Sequence, residues 1–98
     1  MSFENEQNKF IREHLMTVND VAEDIIEKIN NDEGIIIVTE DGRVIDIDAV
    51  WSEDDRYEDC WDVKIYKSYE EYCNFKYYYN DSMRMKDLTI NHIKRYVG

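Results

Sequence analysis

Residues 35–51 of this chain read IIIVTEDGRVIDIDAVW, and the fold can be predicted outward from this stretch. Ile35 to Thr39 is a short run in which every residue is β-branched, and Arg43 to Trp51 alternates apolar with acidic side chains. Between them, Asp41-Gly42 is a residue pair that two-residue hairpin loops favour. The stretch therefore predicts a β-hairpin.

A two-residue loop also predicts how the two strands pair. If Glu40 lies opposite Arg43, one side of the hairpin has only apolar pairs and the other joins isoleucines to acids. The apolar pairs are Val38 with Ile45 and Ile36 with Ile47. The mixed pairs are Ile37 with Asp46 and Ile35 with Asp48. We expect the apolar side to face the core.

A second alternating stretch follows the loop Ser52 to Asp59. Over Cys60 to Tyr66, one face takes Trp61, Val63 and Ile65. The other face takes Asp62, Lys64 and Tyr66. This alternation predicts a third antiparallel strand.

An amphipathic helix is predicted before the hairpin, because apolar residues recur at helical spacing. They are Val18, Val21, Ala22, Ile25, Ile26 and Ile29. Thr17 with Asp20 is a capping-box pair for its start, and residues 30–34 favour its end. A similar spacing upstream predicts a helix over residues 4–16. The pattern leaves open whether the chain bends near Thr17.

A helix is also predicted directly after the third strand. Ser68 with Glu71 is a second capping-box pair, which opens a helix through about Tyr79. The turn-forming residues Asn80-Asp81-Ser82 should end it.

Residues 87–96 predict a last helix, capped by Asp87 and burying Ile90 and Ile93. A strand is the alternative here, because Leu88, Ile90 and His92 also alternate. The predicted fold is a single α+β domain over residues 1–98. It has N-terminal helices, a three-stranded antiparallel sheet and one or two C-terminal helices.

The composition favours one folded, soluble domain. The chain has 98 residues, of which 43% are hydrophobic, and this is too apolar for a disordered acidic tail. The N-terminus has no secretory signal pattern and no apolar run is long enough for a membrane span, so we expect a cytoplasmic protein. Cys60 and Cys73 fit no zinc or disulfide pattern and are expected to be reduced structural thiols.

The charge is unevenly distributed along the chain. The formal net charge of −11 divides into −6 over residues 1–34, −8 over residues 40–62 and +3 over residues 63–98. Such a charge repels nucleic acid and anionic lipid and steers the protein toward basic surfaces. We therefore expect a basic, nucleic-acid-binding protein as the partner, with no direct DNA binding and no membrane contact.

The acids between residues 46 and 62 are the main candidate for partner binding. They are Asp46, Asp48, Glu53, Asp54, Asp55, Glu58, Asp59 and Asp62. Acids at alternate strand positions would form a row on one face. Trp51, Tyr57 and Trp61 lie among them, and Tyr57 is the candidate aromatic anchor. A solvated loop with two core tryptophans is the alternative.

A second acidic group lies on the first predicted helix, where it would form one line of like charges. This secondary ridge consists of Asp20, Glu23, Asp24 and Glu27. It is either a docking surface or a solvated helix face.

An enzymatic interpretation rests on Asp48, Asp62 and Lys64. Their order resembles the loose pattern of restriction-type metal-dependent nucleases, in which two carboxylates hold a divalent ion and a lysine helps activate water. The surplus of carboxylates argues against it, since a nuclease needs a cationic path for its substrate. His14 and His92 lack metal-ligand spacing, and no EF-hand spacing is present. We expect no catalytic residue, metal or cofactor.

A third interpretation is a small regulatory or assembly subunit that oligomerises through its Tyr-rich helix, which carries Tyr69, Tyr72, Phe75, Tyr77, Tyr78 and Tyr79. At least one of Tyr77, Tyr78 and Tyr79 should be exposed, because three consecutive side chains cannot all face one core.

In size, element order and acidity, the whole chain resembles the small acidic anti-CRISPR proteins of bacteriophages that inhibit Cas9. The resemblance covers layout and charge and includes no shared motif, so no residue role follows from it. It implies a non-enzymatic inhibitor in the cytoplasm of the host bacterium. Carboxylates would take the place of DNA phosphates in the cleft where Cas9 reads duplex DNA.

Overall fold

The computed structural model describes residues 5–98. Its helices are α1 (Glu6–His14), α2 (Asp24–Asp32), α3 (Tyr69–Cys73) and α4 (Ile90–Val97). Its strands are β1 (Gly34–Val38), β2 (Val44–Val50), β3 (Cys60–Tyr66) and β4 (Tyr79–Arg84). Short 3₁₀ turns occupy Val18–Asp20 and Met85–Asp87. The α+β class is confirmed.

The four strands form one antiparallel sheet in the order β1-β2-β3-β4. The prediction of three strands was therefore one strand short. The three predicted strands are present, and Cys60–Tyr66 has the predicted bounds.

One face of the sheet carries the main core. Its buried strand residues are Ile37, Ile45, Ile47, Trp61, Val63 and Ile65. Against them pack Val21, Ile25 and Ile29 from the α2 region and Leu88, Ile93, Tyr96 and Val97 from the C-terminal segment. Burial of these side chains is the main favourable contribution to folding.

The opposite face is covered at one end only. Val38, Val44 and Tyr66 form a small second cluster, against which Phe10 and Tyr72 of α1 and α3 pack. The rest of this face carries polar and charged side chains. We call it the open face; its residues are Asp46, Asp48, Val50, Cys60, Asp62, Lys64, Asn80, Ser82 and Arg84.

The predicted hairpin register was wrong by one residue. The structure pairs Val38 with Val44, Ile37 with Ile45, Ile36 with Asp46, Ile35 with Ile47 and Gly34 with Asp48. Ile35 and Ile37 therefore face the core, and Ile36 lies on the side of Asp46.

The cause of this shift is a three-residue loop, Glu40-Asp41-Gly42. Thr39 lies opposite Arg43, since its N–H donates to the Arg43 carbonyl at 2.9 Å and its carbonyl accepts from Gly42 N–H at 3.0 Å. Its hydroxyl also accepts from the Arg43 N–H at 3.0 Å and donates to the Asp41 carboxylate. Gly42 has φ +89°, as the third residue of such a loop requires.

The first predicted helix is divided. The Thr17–Asp20 capping box exists, but it closes the 3₁₀ turn Val18–Asp20, and α2 begins only at Asp24. The chain does bend near Thr17, because Met16 N–H donates to the Val38 carbonyl at 3.0 Å and ties this segment to β1. The predicted helix over 4–16 is found as Glu6–His14, and residue 4 lies outside the described residues.

The helix predicted through Tyr79 ends at Cys73. Ser68 does cap it, accepting from Glu71 N–H at 3.2 Å. However, Phe75 adopts φ +59°, which stops the helix, and Asn80-Asp81-Ser82 lie inside β4 rather than at a helix end. Without β4, the backbone N–H and C=O groups along one edge of β3 would lack hydrogen-bond partners. Strand pairing with this edge therefore outweighs the helical pattern of the tyrosines.

The last helix is confirmed and its strand alternative is wrong. Thr89 caps it rather than Asp87, and Ile93 is buried while Ile90 is half-buried. The Arg43 guanidinium fixes its end, donating to the Tyr96, Val97 and Gly98 carbonyls at 3.0, 3.2 and 3.2 Å.

Candidate protein-binding surface

The open face brings three of the predicted partner-binding acids together. Asp48 lies opposite Asp62 on neighbouring strands, and Asp46 lies opposite Lys64 two residues further along. The alternation of β2 and β3 puts all four side chains on one side of the sheet. Asp48 is exposed, and Asp46 and Asp62 are half-buried.

Internal contacts partly neutralise this group. Lys64 Nζ lies 3.3 Å from Asp62 Oδ2, and Asn80 Nδ2 donates to Asp62 Oδ1 at 2.8 Å. The hydrogen bond to Asp62 raises the pKa of Lys64. Asp62 is therefore held in place, while Asp48 projects to solvent.

Asp46 lies in an unfavourable setting for a charged group. Burial raises its pKa, and the neighbouring carboxylates of Asp48 and Asp62 raise it further, against the opposing effect of Lys64. A cation brought to this part of the open face would relieve the repulsion.

The loop between β2 and β3 uses several of its acids internally. Asp59 accepts from Ser52 N–H at 2.8 Å, and Asp54 forms an ion pair with Arg56 at 2.8 Å. The Arg56 contact lowers the pKa of Asp54. Glu58 lies 3.8 Å from Arg84 and 3.3 Å from Lys86.

Glu53 and Asp55 are the loop acids that remain available. Both are exposed, and neither forms an ion pair with another residue in the range 5–98. The predicted loop acids thus fall into two groups. Glu53 and Asp55 are exposed to a partner, whereas Asp54, Glu58 and Asp59 form contacts within the protein.

The aromatic residues around the loop differ in their exposure to solvent. Trp51 is 55% exposed and Tyr57 is 68% exposed, so both can contact a partner. Trp61 is 1% exposed and belongs to the core, so it is no interface anchor. Its Nε1 is the one buried side-chain polar atom within residues 5–98 that lacks a hydrogen-bond partner.

The secondary acidic ridge is broken by the division of the first helix. Only Asp24 and Glu27 lie within α2, and Glu23 is its N-cap. Asp20 accepts from the N–H and hydroxyl of Thr17 at 2.8 and 2.9 Å, and these bonds lower its pKa. The four acids are exposed but do not form the single line that one continuous helix would give.

The three residues of the nuclease interpretation do share the open face. Lys64, however, is engaged by Asp62. Among residues 5–98, no group of three His, Cys, Asp or Glu side chains is placed to hold a metal ion. The three side chains therefore form a Lys64–Asp62 ion pair, with the Asp48 carboxylate opposite Asp62 on the neighbouring strand.

The tyrosines of the predicted C-terminal helix lie elsewhere than expected. Tyr77 and Tyr78 precede β4 and Tyr79 begins it, and all three are between 43% and 49% exposed. Lys64 and Lys67 lie 5.5 and 5.8 Å from the ring centroids of Tyr77 and Tyr78. The Tyr-rich helix is therefore shorter than predicted: α3 keeps Tyr69 and Tyr72, whereas Tyr77 to Tyr79 lie outside it. Oligomerisation through this segment stays a prediction.

The two cysteines are free thiols, Cys60 being half-buried and Cys73 exposed. His14 packs on Phe10 with ring centroids 4.6 Å apart, and His92 Nδ1 accepts from Thr89 N–H at 3.0 Å. Each histidine thus has a local structural contact.

Sequence reasoning missed one surface feature, an open groove of about 670 Å³ beside β1. The last residues of α1 and α2 and the start of β1 line it, with Asp46 and Asp48 on its far side. The correct hairpin register was needed to find it, because that register places Gly34 next to Asp48.

No helix within residues 5–98 is long and apolar enough to cross a membrane. Comparison with known proteins finds no match to this chain among protein-family models, curated proteins or solved structures.

Proposed function

We propose that this protein is a non-enzymatic inhibitor that binds the cationic cleft of a nucleic-acid-binding protein in place of DNA. The observation that carries the proposal is the open face, where Asp46, Asp48 and Asp62 lie side by side in a chain of net charge −11. A CRISPR nuclease such as Cas9 in the bacterial cytoplasm is the partner we propose to test first.

The spacing of these acids supports the proposal. Residues two apart on a strand lie about 6.6–6.8 Å apart, and paired residues on neighbouring strands lie about 4.5–5.5 Å apart. Both distances are shorter than the Debye length of about 8 Å at physiological salt. A cationic cleft therefore meets these carboxylates together, as it meets the phosphates of DNA, with Lys64 offsetting one of the three charges.

The loop between β2 and β3 extends this surface. Glu53 and Asp55 add exposed charge, and Trp51 and Tyr57 add exposed aromatic area beside it. Aromatic residues surrounded by polar groups are typical centres of protein interfaces. Asp54, Glu58 and Asp59 serve mainly to shape the loop.

Competition for a Cas9–guide complex tests the function. We expect the protein to prevent binding of a labelled target duplex, and the double variant Glu53→Lys/Asp55→Lys to weaken this inhibition at least about tenfold through lost electrostatic complementarity. The matched control is Glu23→Lys/Asp24→Lys, which changes the net charge equally on the other side of the fold. Failure of the wild-type protein to compete would refute this partner, and equal losses in both variants would refute a localised binding surface.

A further inference from the structure

The outer edge of β1 offers unpaired backbone groups. In the hairpin, Thr39 N–H donates to the Arg43 carbonyl and Ala49 N–H donates to the Glu33 carbonyl at 3.3 Å, so odd-numbered residues of this segment bond to β2. The N–H and C=O groups of Gly34 and Ile36 consequently point the other way, into the groove. No residue within 5–98 forms a backbone hydrogen bond with them there.

The chain itself pairs with this edge at one point. Leu15 forms an isolated parallel bridge with Val38, in which Met16 N–H donates to the Val38 carbonyl. Because the bridge is parallel, the chain after Leu15 runs toward Thr39 and away from Gly34 and Ile36, and the residues before Leu15 belong to α1. Within residues 5–98, no strand pairs with the edge beside Gly34 and Ile36.

Acidic and apolar side chains both line the groove along this edge. Glu13, Asp32 and Glu33 are exposed acids among its lining residues, and Lys28 is the one lysine or arginine among those described. Leu15, which is 50% exposed, and the half-buried Ile36 supply apolar surface. An occupant must therefore combine backbone hydrogen-bonding groups, apolar side chains and positive charge.

Asp48 of the open face lies one strand away from this edge. A strand added outside β1 would lie about 9.6 Å from β2, at twice the strand spacing. Gly34 lies between such a strand and Asp48, and it is required there by its φ of +135° and because a Cβ would clash with the Ile47 carbonyl oxygen. A lysine or arginine side chain on the added strand can reach across Gly34 to Asp48.

We propose that the edge of β1 binds an extended, Lys/Arg-bearing segment of the partner protein as a fifth strand. Main-chain hydrogen bonds to Gly34 and Ile36 supply affinity, and the acids around the groove select positive charge. This inference rests on the proposed function, because it gives the binding mode of the same basic partner. A second copy of this chain fits less well, since it would bring another net charge of −11 to an acidic groove.

The test uses the synthetic peptide acetyl-VKVKVKV-amide, titrated into the ¹⁵N-labelled full chain. We expect the amide signals of Gly34 and Ile36 to shift and to become protected from hydrogen exchange. Replacing one of the two internal valines by proline removes one N–H donor and should weaken binding, and the acidic analogue acetyl-VEVEVEV-amide should not bind.

Two charge-matched variants locate the binding. Glu13→Lys/Asp32→Lys changes exposed groove acids and should weaken peptide binding about tenfold, whereas Glu23→Lys/Asp24→Lys at the start of α2, outside the groove lining, should change it less than about twofold. No binding at about 1 mM peptide overturns the inference. So do shifts confined to residues 51–59, and so does protection of Gly34 and Ile36 by self-association without peptide.

The two proposals can fail separately. If the protein competes with DNA for the Cas9–guide complex but the groove variant competes equally well, the function stands and the strand-addition mode is wrong. If the wild-type protein does not compete while the peptide binds at Gly34 and Ile36, the groove stands and the proposed partner is wrong.

Discussion

The Arg43 side chain joins the hairpin loop to the end of the chain. It forms an ion pair with Asp41 at 3.0 Å and donates to three backbone carbonyls at the end of α4. Those carbonyls have no partner within the helix, and a cation at this end also interacts favourably with the helix dipole. Arg43 is only 20% exposed, so these bonds are partly shielded from water.

We therefore expect Arg43→Ala to lower the free energy of unfolding by about 2–3 kcal/mol. Arg56→Ala is a matched control, because Arg56 also pairs with an aspartate two residues before it but is 82% exposed. Its loss should cost less than about 1 kcal/mol. Urea denaturation of both variants measures the difference, and equal midpoints would contradict this role of Arg43.

The raised pKa of Asp46 predicts that the stability of the fold depends on pH. Because its pKa is raised in the folded state, its contribution is most favourable below the ordinary aspartate pKa of 3.8 and is lost as pH rises through the folded value. We expect Asp46→Asn to raise stability at pH 7 and to lose this advantage near pH 3. Urea midpoints at the two pH values test it; a variant that is less stable than wild type at pH 7 would show that Asp46 is favourably paired.

Neither of these two roles could be predicted from sequence. Arg43 and the carbonyls of Tyr96 to Gly98 are more than fifty positions apart, and no local pattern connects them. Asp46 was predicted to lie on an acidic side, but its burial depends on how α1 and α3 cover that face.

At the level of elements, local signals located the hairpin and the third strand but not their pairing. Asp41-Gly42 suits both a two-residue loop and the end of a three-residue loop. The contacts of Thr39 favour the three-residue loop, because its hydroxyl and its backbone both form hydrogen bonds with Arg43. A shift of one residue in the hairpin register was enough to exchange the β1 residues that face the core with those on the opposite face.

Strand β4 was missed for a related reason. Ser68 and Glu71 begin a helix correctly, and the tyrosines after them continue a helical pattern. The end of that helix is set by Phe75, which adopts a left-handed conformation that sequence patterns associate with glycine or asparagine.

This conformation gives a prediction for α3. We expect Phe75→Gly to stabilise the fold by about 1 kcal/mol, because glycine adopts φ +59° without strain and the Phe75 side chain is 83% exposed. Glu33→Gly is the matched control, since Glu33 has φ +60° at the end of α2 and should give a similar gain. Thermal unfolding of both variants is the measurement; a loss of stability in Phe75→Gly alone would mean that the ring contributes packing.

For the whole molecule, the fold rearranges the charge distribution of the sequence. Acids neutralise part of the basic segment after Val63, because Lys64 pairs with Asp62 while Arg84 and Lys86 reach Glu58. These contacts engage Asp62 and Glu58, so both predicted partner-binding acids are less available to a partner. The acids left for a partner are Asp46 and Asp48 of the open face, the exposed loop pair and those of the β1 groove.

We propose that these remaining acids steer the protein to a cationic cleft. The most direct test measures the association rate with a Cas9–guide complex between about 50 and 300 mM salt, for the wild-type protein and for Glu53→Lys/Asp55→Lys. We predict that the wild-type rate falls at least about tenfold over this range and that the variant associates more slowly with a shallower salt dependence. An association rate that is independent of salt, or identical in the two proteins, would contradict the claim.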